Sequence, residues 1–137
     1  MMLGVMLLGT AVACSDSSSN RKAFQPLNQA VADVEPSTIG KVVYDQARGS
    51  AKPLTQGPVR YLLVLASGGP DTAKNAVDNR LDAVGFSELG PNAWRRVKDQ
   101  ATVLIYVKLF KTGQKTPNGL TVPAGHTGVW FNINRGT

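Results

Sequence analysis

The sequence predicts an α+β domain: an antiparallel sheet with a β-α-β-β-β core and one or two helices packed on one face. Three observations carry this. The run "VRYLLVLAS" (59–67) is nearly continuously apolar and of strand length. An amphipathic helical pattern follows at once, with Ala73, Val77, Leu81 and Val84 at i, i+4, i+8 and i+11. The last third then holds strand patterns joined by the turns Gly90-Pro91-Asn92 and Lys98-Asp99-Gln100.

Each element has its own justification. From Phe24, Leu27, Ala30, Val31 and Val34 follow the i, i+3, i+4, i+7 spacing of a helix. Pro26 suits its first turn, and Pro36 ends it. "KVVYDQA" (41–47) reads as a strand and "GSAKPLTQGP" (49–58) as a loop. The strand 59–67 breaks at Gly68-Gly69, where Pro70 and Asp71 open the amphipathic helix, and Gly85 caps its end. Lys74, Asn75, Asp78, Asn79 and Asp82 make up its polar face. Residues 85–97 read as two short strands about a turn. In 101–110, Val103, Ile105, Val107 and Leu109 share one face, and Leu104, Tyr106 and Lys108 the other. In 128–135, Val129, Phe131 and Ile133 form the buried face, with Trp130, Asn132 and Asn134 opposite.

The connection from Lys111 to Thr127 is long and rich in Gly and Pro. Loops of this length are either built for a function or mobile. Lys111, Lys115 and His126 make it a candidate binding segment, and a purely structural loop is the alternative. Pro117-Asn118-Gly119 suits a tight turn that would let "LTV" (120–122) pair as a small hairpin.

The N-terminus is of another kind. Residues 1–13, "MMLGVMLLGTAVA", are uncharged and too short to span a bilayer comfortably as a helix, but they suit the apolar region of a secretory signal. Ala11-Val12-Ala13-Cys14 resembles the lipobox of bacterial lipoproteins, with Ala11 where that family most often has Leu and no basic residue before the run. The resemblance implies cleavage between Ala13 and Cys14, a diacylglyceryl group on the Cys14 thiol, and an acylated new N-terminus. It divides the chain into a signal peptide (1–13), a lipidated cysteine with a flexible polar tether (14–23) and one α+β domain (24–137). The domain's pattern is similar to that of small actinobacterial lipoproteins. The same "AVA" also suits ordinary signal peptidase, which would release a soluble exported protein.

Charge and composition narrow the chemistry. The net charge is +6, and the whole excess lies in residues 90–137, where Arg95, Arg96, Lys98, Lys108, Lys111, Lys115 and Arg135 face Asp99 alone. Such asymmetry suits an anionic partner or a solvated face. Two acyl chains, at ~0.8 kcal/mol per buried methylene, outweigh the whole basic excess as an anchor, so the cations are free for other work. One cysteine excludes an intramolecular disulfide, and one histidine argues against an imidazole metal centre, so neither cofactor nor metal is expected.

"SGGPDTAK" (67–74) lacks the spacing of a phosphate-binding loop and reads as a turn and helix start. Trp94, Arg95 and Arg96 form an aromatic-basic cluster that Trp130 would join across the sheet. Such groups stack on sugars or sit at lipid headgroups, or they simply cover the sheet. The function expected is a non-enzymatic binding module, lipid-anchored on the extracytoplasmic side of the cell membrane. Its partner would be an anionic envelope polymer, headgroups or an envelope protein, and nucleic acid is not expected. The alternative is a cell-surface hydrolase or transferase acting on wall material, although no catalytic motif is present.

Overall fold

The last strand of the chain sits in the middle of the sheet. The computed structural model describes residues 19–52 and 56–136. Helix α1 covers residues 19–34, and a 3-10 turn follows at Pro36–Thr38. Then come β1 (Lys41–Arg48), β2 (Val59–Ser67), α2 (Pro70–Ala83), β3 (Ser87–Gly90), β4 (Ala93–Lys98), β5 (Ala101–Phe110) and β6 (His126–Arg135). The sheet order is β1-β2-β6-β5-β4-β3, and every neighbouring pair is antiparallel. Helix α2 carries the chain from β2 to the far edge. A β3-β4-β5 meander returns, and β6 fills the gap between β5 and β2. The expected α+β class holds, with six strands and both helices packed on one face.

The core lies between that face and the helices. Leu62 and Val64 of β2, Ile105 of β5 and Phe131 and Ile133 of β6 meet Leu27, Ala30 and Val34 of α1 and Ala73, Val77 and Leu81 of α2. Each of these side chains is at most 2 % exposed, and burying one of the Val, Leu, Ile or Phe side chains stabilises by about 1.5–3 kcal/mol. The end of α2 follows from the predicted glycine. Gly85 takes φ +93°, its N–H donates to the Asp82 carbonyl, and the Phe86 N–H donates to the Leu81 carbonyl. This is the paired-bond ending that a left-handed glycine permits, and Phe86 and Leu81 are both buried beneath it.

Helix α1 departs from expectation at its start. The apolar spacing places Pro26 in the first turn, yet helical backbone runs back through Pro26 to residue 19. A proline inside a helix deprives the carbonyl four residues earlier, that of Lys22, of its partner. Residues 19–23, expected in the flexible tether, are therefore helical. The Asn20 side chain accepts a hydrogen bond from the Ala51 N–H at 3.1 Å, which sets the start of α1 at the β1–β2 loop end of the sheet. Ala13 and Cys14 lie outside the described residues.

The segment after β5 is folded back on the opposite face. The Gly113 and Val122 N–H groups donate to the Val122 and Gln114 carbonyls, and Lys115 bridges Thr121 as the expected small hairpin. The turn falls at Pro117-Asn118-Gly119, closed by the Gly119 N–H to the Thr116 carbonyl at 2.9 Å. Val122 then buries itself against Gly128, beside Phe110 and Leu63. A β-carbon at Gly128 would lie 3.0 Å from Val122 Cγ2, so any larger residue there would press on the folded-back loop.

Candidate functional site

Strand alternation divides the expected aromatic-basic cluster. Successive side chains point to opposite faces, and in β4 this sends Trp94 and Arg96 under the helices and Arg95 to the other side. Trp94 is 5 % exposed and belongs to the core. Trp130 lies on the opposite face, so the two tryptophans do not meet. The proposed joint surface of Trp94, Arg95, Arg96 and Trp130 is thus corrected to Arg95 and Trp130 alone.

Arg96 is structural. Its guanidinium reaches Asp33 of α1 at 3.0 Å, donates to the Val84 carbonyl at 3.1 Å and stacks over the Phe86 ring at 4.6 Å. It thereby ties β4 to the end of each helix. Lys98 also reaches Asp33, at 3.3 Å. Burial pushes the Asp33 carboxyl up, but hydrogen bonds from Gln29, Lys98 and Arg96 outweigh it and hold the group below its ordinary value. A cleft of about 260 Å³ beside this network is lined by Lys22, Gln25, Gln29, Arg96, Lys98 and Asp99. Its two inner cations, Arg96 and Lys98, share the single carboxylate of Asp33.

The face of the sheet away from the helices is different. Directly opposed residues on β1, β2, β6 and β5 form three rows across it: Tyr44–Leu63–Trp130–Lys108, Gln46–Tyr61–Asn132–Tyr106 and Arg48–Val59–Asn134–Leu104. Arg95 of β4 extends the third row. Trp130 packs against Tyr44 and Tyr61, each with ring centroids 5.6 Å apart. The three rings are half-buried over Leu63, and Tyr106 stands 46 % exposed. Arg48 donates to the Tyr44 hydroxyl at 3.4 Å, and the Asn134 amide donates to Asn132 at 2.9 Å.

This face carries no carboxylate among the described residues. Asp33 and Glu35 belong to the end of α1, and Asp71, Asp78 and Asp82 to α2. Asp45 pairs with Arg60, which also binds Asn28 of α1 and so lies on the helix side. Glu88 stands opposite the buried Trp94, and Asp99 is in the β4–β5 turn. Arg48, Arg95 and Lys108 are therefore the only charges in the three rows. A second cleft, of about 360 Å³, opens at the edge of this face beside Tyr61, Asn132 and Asn134, with Gly57, Pro58 and Arg135 also lining it.

The remaining expected residues lie at the far end. Lys111 and Lys115 are exposed on the folded-back loop, and His126 opens β6 with Nδ1 at 3.0 Å from the Ala124 carbonyl. They are separated from the second cleft by the length of β6, so the structure does not bring them together with it. Tyr44, Tyr61, Tyr106, Arg48, Asn132 and Asn134 were not expected in a site. The alternation of β5 and β6 pointed to Tyr106, Asn132 and Asn134, but only the register of β1 and β2 brings Tyr44, Tyr61 and Arg48 beside them. No group of three or more His, Cys, Asp or Glu suited to a metal occurs among the described residues. Comparison with protein families, characterised proteins and solved structures finds no match for this chain.

Proposed function

We propose that this protein is a lipid-anchored envelope protein that binds an anionic partner on the open face of its sheet and does no chemistry there. One observation carries the reading: that face presents tyrosines, a tryptophan and cations with no carboxylate among them. Paired-carboxylate catalysis has nothing to work with on such a surface. A polyanion has much, because like charges no longer compete with it and aromatic rings supply flat contact area.

The anchor rests on the Ala13-Cys14 motif. Between Cys14 and the described start of α1 at residue 19 the chain can reach at most ~18 Å. Since α1 begins at the β1–β2 loop end of the sheet, lipidation would hold that end toward the membrane. An intact mass that lacks residues 1–13 and carries acyl chains, and that Cys14→Ser abolishes, is the expected result for the anchor.

The binding reading is tested with an acidic polysaccharide and the double variant Arg95→Gln/Lys108→Gln. Binding should weaken about tenfold or more and lose much of its salt dependence, since both cations are exposed to screening. Equal binding by the double variant, or equal affinity for a neutral dextran, would contradict it.

A further inference from the structure

We infer that the cleft beside Tyr61 binds a single anionic sugar residue, a deepening that rests on the proposal of an anionic partner for this face. The chemistry of the lining selects the ligand. Tyr61 packs one side of its ring on Trp130 and also lines the cleft, which gives a fixed aromatic wall for the apolar face of a pyranose. Asn132 and Asn134 line the same cleft and share one hydrogen bond between them. Each side-chain amide offers two donors and a carbonyl oxygen, so the pair keeps further donors and acceptors for vicinal hydroxyls.

The charge comes from Arg135, which lines the cleft, and from Arg48, which stands in the same row as the lining residue Val59. The Arg48 guanidinium is drawn to the Tyr44 hydroxyl. Among the described residues Arg48 has no carboxylate partner. An arginine without an acid beside an aromatic wall and two amides fits a sugar bearing a carboxylate or a phosphate. A polyanion without hydroxyls would leave the amides unused, whereas a sugar ring engages the arginine, the aromatic wall and the amides together. A volume of about 360 Å³ lies at the small end of ligand sites and suits one ring rather than a longer stretch of polymer.

The test is calorimetric titration of the full chain in neutral detergent with trigalacturonate and, separately, with triglutamate of equal formal charge. The sugar should bind at least tenfold more tightly than the peptide. Arg48→Gln and Asn134→Ala should each remove about tenfold of the sugar's affinity, while Lys74→Gln on α2 leaves it unchanged. All three side chains are exposed or half-exposed, and unchanged thermal unfolding checks that the variants are folded. Equal affinity for sugar and peptide would overturn the sugar site while leaving the anionic face standing. Failure of every polyanion to bind would overturn both. Vesicles separate the possible sources: preference for phosphatidylinositol over phosphatidylglycerol, removed by Arg48→Gln, supports a polyhydroxylated ring carried on an anionic lipid headgroup as the sugar-like ligand. Equal binding of the two vesicles together with no binding of trigalacturonate overturns the inference.

Discussion

Replacing Asp33 by Asn should destabilise the protein more than removing its buried partner. Asp33 holds Arg96 at 3.0 Å and Lys98 at 3.3 Å, and the Arg96 side chain is 7 % exposed against 21 % for Asp33. Asp33→Asn keeps the shape and deletes the charge, which leaves a buried guanidinium unbalanced. Breaking a buried pair in this way costs about 3–5 kcal/mol; the partial exposure of Asp33 and the half-exposed Lys98 bring the expectation to about 2–3 kcal/mol. For a domain of this size that lowers Tm by about 6–12 °C. Arg96→Met behaves differently, because it removes the costly cation itself, including an Nε without a hydrogen-bond partner. Asp33 then keeps Lys98, and the cost should stay within about 1 kcal/mol. The pH dependence has a definite sign. The folded Asp33 carboxyl lies below its ordinary value, so its contribution is fully present above ~pH 4 and fades as pH falls through the folded value. Urea unfolding of the three proteins at pH 7 and pH 3 reads all of this, with Asp33→Asn losing that part of the acid sensitivity. An Asp33→Asn variant within 0.5 kcal/mol of wild type, as roughly expected of a surface change, would refute the reasoning.

Two further predictions concern the loop and the first helix. Gly128→Ala should cost about 1–3 kcal/mol, because its β-carbon would press on Val122 Cγ2 at 3.0 Å and on Phe110 and Leu63 beyond. Faster hydrogen exchange at the Gly113 and Thr116 amides, which are bonded within the 111–125 loop, would report the loosening; unchanged exchange would show that the loop does not depend on that contact. Pro26→Ala should stabilise the fold by up to ~3 kcal/mol and raise helicity, since residue 26 lies inside α1. A lower urea midpoint would mean that α1 does not continue through this position.

Much of the architecture was legible because local and tertiary preferences agree. The buried positions of α2, its glycine ending at Gly85 and the two faces of β6 are all written in spacing that the packing then uses. Alternation also separates Trp94 from Arg95, but adjacency in sequence suggests one cluster and strand geometry decides otherwise. Arg96 resembles a free surface cation until Asp33, 63 residues earlier, folds against it. The length of α1 was obscured by Pro26, whose local preference the packing of Leu27, Ala30 and Val34 overrides. Tyr44 and Tyr61 gave no signal of their own. They reach Trp130 only because β6, the last strand, inserts between β2 and β5.

The proposed function requires that the open face of the sheet meet the envelope, and photo-crosslinking in host cells reads that directly. A benzophenone side chain at Tyr106, exposed on the open face, is compared with one at Asn75, exposed on α2. Adducts that carry an acidic glycan from position 106 and not from position 75 are the predicted result. The same adducts from both positions, or glycan adducts from α2 alone, would contradict the claim that the open face is the binding surface.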